Sequence, residues 1–409
     1  MRPANRFLPG LVVMLAGQLF AQPYDLLLKG GRVIDPRNGL DARRDIAVAD
    51  GKIRQIAADI NSDQAKRTID VGGLLVVPGL IDIHTHVFTG GKPDVFADGT
   101  FSVSADDFCP RSGVTTVVDA GTSGWRNFEL FKYNIIDRSQ TRILAFLNIA
   151  GGGMSGNPDQ QRMEDMDAIR TADMIRKYPG TIVGIKLGHF EQPDRTPLDR
   201  TFESAERAGT RVFVECHLHH YSLAEQLNRM RPGDIITHTF EQVSERTPVA
   251  DSLGHLRPEV VAASARGIRF DLGHGGYGFW FKQASAAAKQ NWWPYTFGTD
   301  LHRFSMNAGM KSLPLVMSKF LALGMPLPEV IRRATSNPAL AIGRDDLGTL
   351  TIGADADIAV LNIQRGSFGF TDSGGYRIKG KKKLEADMTF RGGKVIWDLN
   401  GRAAQKFIP

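Results

Sequence analysis

Between Pro78 and about Arg344 the chain alternates short apolar runs with longer stretches of helical period. The runs are LIDI (80–83), VTTVVDA (114–120), RILAFLNIA (142–150), TIVGIKLG (181–188), RVFVECH (211–217), DIITHT (234–239), IRFDLG (268–273) and YTFGTD (295–300). Strands buried on both faces read as near-continuous apolar runs. Eight of them, separated by connections long enough for helices such as 164–177 and 200–208, predict an α/β fold built on a parallel (β/α)8 barrel. Outside this interval the texture changes. YDLLLKGGRVIDPRNG, RDIAVADGKIRQIA and RTIDVGGLLVVPG are alternating runs broken by glycine-rich turns, and LGTLTIGADADIAVLNI and DMTFRGGKVIWD repeat the style near the other end. These are hairpin signals. Residues 22–77 and 345–409 are therefore read as one small β-sandwich module composed from both chain ends, with the barrel at 78–344 inserted between them.

The polar residues on the barrel runs sit at one place. His84 and His86 end the first run, Lys186 the fourth, His217 the fifth, His238 the sixth and Asp300 the eighth. Each is a carboxyl end, the face at which barrels of this kind assemble their sites. Alternation along a strand predicts that His84 and His86 share a face and reach one point in space. Taken singly, each of the six reads equally well as a core histidine, a rim lysine or a helix cap. Jointly placed, they read as a metal site with nitrogen and oxygen donors.

Composition narrows the rest. The 409 residues suit one barrel of roughly 250 residues with a smaller module. Hydrophobic content of 42% and charged content of 23% are those of a soluble globular chain. MRPANRFLPGLVVMLAGQLFAQ carries Arg2 and Arg6, an apolar run from Phe7 to Phe20 and Ala21 before Gln22, so residues 1–21 read as a secretory signal peptide, with a retained anchor as the alternative. The expectation is an exported protein, periplasmic or extracellular, without stable membrane insertion after processing. A formal net charge of +6, of which the leader holds two arginines, gives no nucleic-acid footprint, and the one dense basic run, Lys379 to Lys383, reads as a solvated loop. Cys109 and Cys216 are the only thiols, which excludes a disulfide scaffold; Cys216 is expected as a buried free thiol behind His217. A small-molecule substrate is the expected partner, and homo-oligomerisation stays open.

HTH at 84–86, GIKLG with Lys186, ECH with His217, ITH with His238 and GTD with Asp300, inside a split β-module, resemble the amidohydrolase superfamily of metal-dependent hydrolases, in its deacetylase or dihydroorotase-like branch. The phrases DLLLKGGRVIDP, VVPGLIDIHTH and GTLTIGADADIAVL extend the likeness from about Tyr24 to Asp398. The resemblance implies two divalent metal ions, zinc before manganese, iron or cobalt, with a carbamylated Lys186 bridging them. His84, His86, Lys186 and Asp300 would hold one, and Lys186, His217 and His238 the other. It implies a metal-bound hydroxide as nucleophile and Asp300 as the catalytic base. His274, after the seventh run, is a second catalytic candidate, as a substrate contact or a donor to the developing oxyanion.

The implied reaction is hydrolysis of an amide or ester bond in a small acylated acid, as by a deacetylase. The alternatives are a cyclic-amide hydrolase of dihydroorotase or hydantoinase type, and a non-catalytic protein of the same fold. Dihydroorotases of the superfamily carry an arginine two residues after HxH, where this chain has Phe88, and one aminoacylase branch uses a cysteine on the second strand, where it has Asp119. The superfamily's deaminases lack the bridging lysine. Gly151 to Gly156 is read as an anion-binding or, more simply, mobile loop; His219, His220 and Arg303 are near the expected mouth; Tyr277, Phe279, Trp280, Trp292 and Trp293 are candidates for an aromatic pocket wall.

Overall fold

The computed structural model describes residues 22–156, 159–215, 220–244, 246–405 and 407. The leader 1–21, and with it the signal-peptide expectation, lies outside them, as do Cys216, His217 and His219.

Seven parallel strands, Leu80–Thr85, Val114–Gly124, Arg142–Asn148, Ile182–Leu187, Val212–Val214, Ile235–Ile236 and Arg269–Phe270, pair in chain order around a curled sheet. The eighth stave, residues 295–301, closes the barrel through single parallel bridges, Asp271 to Thr296 and Thr85 to Leu301, rather than a full ladder. Its backbone leaves the strand region at Asp300, with φ of +52°. The interior is filled by Ile81, Ile83, Val118, Leu144, Phe146, Val183, Phe213 and Ile235, joined by Ala339, Ala341, Ile342 and Leu347 from the segment that follows the eighth stave. Burying each of the two phenylalanines contributes about 1.5–3 kcal/mol.

The helices begin where local chemistry starts them. The helix expected at 164–177 is Ala168–Lys177, because the Asp167 side chain accepts from the amides of Ile169 and Arg170 and caps it there. The helix expected at 200–208 starts earlier, at Thr196, with Pro197 in its first turn, and stops at Ala208 before the left-handed Gly209.

The strands of both chain ends form one sheet in the order Lys394–Asp398, Arg377–Arg391, Ile358–Thr371, Leu75–Pro78, Leu26–Asp35, Leu40–Ala49, Lys52–Ala57, with Thr68–Asp70 beside Leu26–Asp35. The sheet packs about its own core of Leu28, Val33, Ile46, Val76, Ile358, Met388 and Phe390. Arg142, on the third barrel strand, ties the barrel to this module through Asp355 at 2.9 Å and through Asp357. The hairpin Ile358–Thr371/Arg377–Arg391 also lies along the barrel helix Leu313–Ala322, where Leu384 N donates to Ser318 Oγ at 2.8 Å. The lysine run expected in a loop lies on its second strand; Lys379, Lys381 and Lys382 are exposed there.

Candidate metal centre

The first strand delivers His84 and His86 to the carboxyl end of the barrel, both buried. Alternation alone does not do this: Ile81 and Ile83 belong to the interior, and the pairing register shifts between Asp82 and Thr85. The rings nevertheless converge. His84 Nε2 lies 3.5 Å and His86 Nε2 3.1 Å from the same oxygen, Asp300 Oδ1. Their other nitrogens are held from behind. His84 Nδ1 is 2.9 Å from Thr237 Oγ1, whose hydroxyl donates to Asp271 Oδ2 at 2.7 Å. Asp271 accepts in turn from Thr296 Oγ1 at 2.6 Å and Gly298 N at 2.9 Å. Since Thr237 spends its proton on Asp271, it accepts from His84, which fixes that proton on Nδ1 and leaves Nε2 a lone pair. His86 Nδ1 meets Thr122 Oγ1 at 2.9 Å. Asp119 braces the same region, accepting from Val87 N at 2.9 Å and Thr122 N at 2.8 Å.

Across the mouth stands a second group. Lys186 is buried, and its stem passes Gly121, where a Cβ would come within 2.5 Å of Lys186 Cγ and where φ is +83°. Only glycine fits both conditions. Lys186 Nζ lies 3.0 Å from Glu215 Oε2, a charge contact, and makes no hydrogen bond among the described residues. Glu215 Oε1 meets His238 Nε2 and His189 Nε2, each at 3.0 Å. His238 is held in the left-handed region, φ +57°, by Arg246, which donates to its carbonyl and, at 3.2 Å, to that of Thr237, and pairs with Glu241 at 3.0 Å. Unusual backbone at both His238 and Asp300 is the kind of strain that functional sites retain.

These groups open into a cavity of about 610 Å³ lined by His189, Glu215, His238, Tyr277, Asp300, His302 and Phe304 among others. Sequence reasoning missed Phe304 and three titratable residues of these. Glu215 stood in the ECH phrase beside His217; His189 and His302 follow Lys186 and Asp300 within three residues. His302 Nε2 lies 3.8 Å from Asp300 Oδ2, and its Nδ1 accepts from the amides of Phe304 and Ser305 at 3.2 and 3.4 Å, so Nε2 carries the proton.

Other expectations land elsewhere. His274 is fully buried, with Nδ1 3.0 Å from Gly275 O and Nε2 2.6 Å from Lys319 Nζ. Phe88 is buried and stacks on Phe131 at 4.7 Å, so its position does not reach the cavity. The first half of the glycine run is packed: Gly151 N and Gly152 N donate to Asp165, and Gly153 N to Ala150 O. Of the five aromatics, Tyr277 lines the cavity, while Phe279, Trp292 and Trp293 pack into the core layer. His220 is exposed, 3.1 Å from Glu191 O, and Arg303 is exposed.

Burial lowers the His84 imidazole to about 4, against the pull of Asp300, and keeps it neutral as a ligand must be. Burial raises the Asp300 carboxyl, but His84, His302 and the hydrogen bond from His86 together hold it well below the usual carboxylate range. Nearby Asp82 is pushed by burial up to about 7 in spite of its bonds from Thr299. The donor set fits a divalent cation: ligand atoms of His84, His86 and Asp300 all lie within 4.8 Å of one another. A neutral His84 imidazole and an ionised Asp300 carboxylate are the chemistry such an ion requires.

The comparisons with known proteins agree with this geometry. A model of the amidohydrolase family matches residues 283–396, a segment that contains Asp300 and the module hairpin. A deacetylase of Agrobacterium fabrum is 31% identical over 367 residues, 88% of this chain and 86% of the relative. A crystal structure of an adenine deaminase superposes with a TM-score of 0.82 at 28% identity, covering 92% of this chain and 100% of that one. A crystal structure of a dihydroorotase gives 0.78 at 28%, covering 91% and 99%. With a barrel whose mouth gathers histidines, lysine and aspartate, and a relative aligned along nearly the whole of both chains, this protein belongs to the amidohydrolase family.

Proposed function

We propose that the protein is a metal-dependent hydrolase that removes the acyl group, acetyl first, from a small N- or O-acylated acid. The observation that carries this is the convergence of His84, His86 and Asp300 on one point, with Asp300 lining a cavity of small-molecule size, in a chain similar along its length to a deacetylase. We further propose a binuclear centre. His84, His86, Lys186 and Asp300 would hold one divalent cation, zinc foremost, and Lys186, His217 and His238 the other, with Lys186 carbamylated as the bridge. The burial of the Lys186 amine among these groups supports this, since as an ammonium it would repel two cations, whereas a carbamate would supply them with two oxygens. Bound there, the cations supply an activated water at neutral pH and polarise the scissile carbonyl.

The chain's own residues do the rest. Thr237 and Asp271 fix the His84 imidazole with its Nε2 lone pair toward Asp300, and Thr122 holds the His86 ring from behind. Asp300, ionised, accepts the proton of the attacking water and returns it to the departing oxygen or nitrogen. His302, with Nε2–H facing Asp300, is placed to donate to substrate. Tyr277, Phe304 and Val243 give the cavity an apolar side suited to an organic side group. We also propose export, from the leader-like sequence of residues 1–21; the mature chain would begin near Gln22, and an intact Met1 on the protein recovered from a secreting host would refute it.

One panel tests the activity. Turnover of N-acetyl and O-acetyl acids is compared with that of hydantoins, dihydropyrimidines and adenine, before and after chelation and with metal restored. Preference for the acyclic acyl substrates, lost on chelation and regained with metal, is expected. Preference for a cyclic amide would move the chain to the dihydroorotase-like reading, and adenine turnover would move it to deamination. Metal binding with no turnover of any class would leave a non-catalytic relative.

A further inference from the structure

The loop after the seventh barrel strand supplies Gly276, Tyr277 and Gly278 to the cavity wall. Its backbone also touches two of the site residues. Gly273 O is 2.7 Å from His238 Nδ1, and a Cβ at Gly275 would come within 2.3 Å of Asp300 Oδ2, so a shift of this loop displaces one or both.

What holds the loop lies behind it. Lys319, fully buried on the helix Leu313–Ala322, donates to His274 Nε2 at 2.6 Å, Gly309 O at 2.8 Å and Thr371 O at 2.7 Å. An ammonium has three protons, and here three acceptors meet it. With Nε2 accepting, the His274 proton is on Nδ1 and is given to Gly275 O at 3.0 Å. Both ring nitrogens are then engaged within the protein. Thr371 ends the first strand of the module hairpin, and the turn that follows fastens the same loop. Asp372 Oδ2 accepts from Phe281 N at 2.9 Å, Ser373 N donates to Phe279 O at 2.8 Å, and Ser373 Oγ accepts from Phe279 N at 3.2 Å.

We propose that Lys319 and His274 form a buried pin that positions the seventh-strand loop against His238 and Asp300, and that the hairpin tip of the composite module completes the clamp. His274 is thus a positioning residue and not a proton carrier, and the module is a working part of the site. The kinetic part of this inference rests on the hydrolase reading above; the structural part does not.

The substitutions that test it separate an acceptor from an acid. His274→Gln keeps an oxygen able to accept from Lys319 but cannot shuttle protons as an imidazole does; His274→Leu leaves the ammonium with an unmet proton; Lys319→Met removes the donor. Amide hydrogen exchange over residues 273–281, metal content, melting temperature, kcat and KM are measured on the full metal-loaded chain. We expect His274→Leu and Lys319→Met to speed exchange in that segment and to lower kcat by about 10- to 100-fold, the range found when an outer support of a metal site is removed. His274→Gln should keep the protection and stay within about fivefold of wild-type kcat. Equal collapse of kcat in His274→Gln and His274→Leu with protection retained would assign His274 to proton transfer and overturn the proposal. So would unchanged exchange in His274→Leu. If Lys319→Met does not fold, the His274 pair decides alone. A wild-type chain inactive on every acyl substrate would end the hydrolase reading, while the exchange data would still judge the pin.

Discussion

The mouths of the first and seventh barrel strands each hold buried histidine, and they turn it in opposite directions. At the first, Thr237 and Thr122 take the Nδ1 atoms of His84 and His86 and leave both Nε2 atoms facing Asp300. At the seventh, His274 gives one nitrogen to its own loop and the other to Lys319. Position at a strand end is therefore not what makes a ligand. The hydrogen-bond partners behind the ring decide which nitrogen, if any, is left for chemistry.

The sharpest way to break this contrast is at the point where the first-strand pair converges. Asp300→Asn keeps the shape but removes the proton acceptor, and kcat should fall by at least about 10³ while affinity for a substrate-like inhibitor changes far less. Metal content is measured on the same sample; a variant that keeps its metal and loses less than about tenfold would force another base to be named. Lys186→Ala should come next, losing metal and most activity, about 10² or more in kcat/KM, with part of both returning on addition of a small carboxylate that fills the vacated bridge. Full activity in the alanine variant would remove the binuclear proposal.

A smaller effect tests the support behind the ring. Asp271→Asn weakens the Thr237–His84 relay without touching a ligand, and metal affinity should drop by about 10- to 100-fold by titration against a chelator. The smallest is a pH dependence on the seventh-strand side. Burial lowers the Lys319 amine from 10.5 to about 7 in the fold, with Asp372 opposing. Between those values the unfolded chain binds the proton more tightly, so this group adds stability as pH rises from 7 towards 10.5 and withdraws it as pH falls back, with no further change below 7. Denaturant midpoints of wild type and Lys319→Met are compared at about pH 7 and about pH 9, and the difference should move in wild type's favour at the higher pH. A constant difference would show that the amine does not titrate there.

Much of the architecture was readable because buried parallel strands announce themselves as apolar runs, and the HTH and GTD phrases mark two strand ends with polar residues that a core would otherwise reject. The site was less complete. Glu215 lies two residues before His217, so strand alternation already offered it the same face, but the nearer histidine drew the metal argument and the carboxylate that joins Lys186 to His238 went unread. His274 shows the reverse error. Its place after a strand suggested chemistry, while the residue that engages it, Lys319, is 45 positions away and had no local signal at all. The lysine run failed for a related reason: charge density suggests a loop, yet an exposed strand on a long hairpin carries lysines equally well, and does so to discourage edge pairing.

One feature of the composite sheet bears on how the molecule is made. Leu75–Pro78 pairs with Ile358–Leu361, so the join that completes the module spans nearly the whole barrel in sequence. Loop-closure entropy grows only with the logarithm of length, so the finished protein loses little by this arrangement. Biosynthesis is affected more. The early strands leave the ribosome with an apolar face, and Leu75–Pro78 leaves one edge of their sheet open, because its partner is among the last segments to be translated. Until it arrives they form an aggregation-prone half-sheet, and a nascent chain stalled before Ile358 should depend on a holdase, or precipitate, even though every barrel strand has already been made.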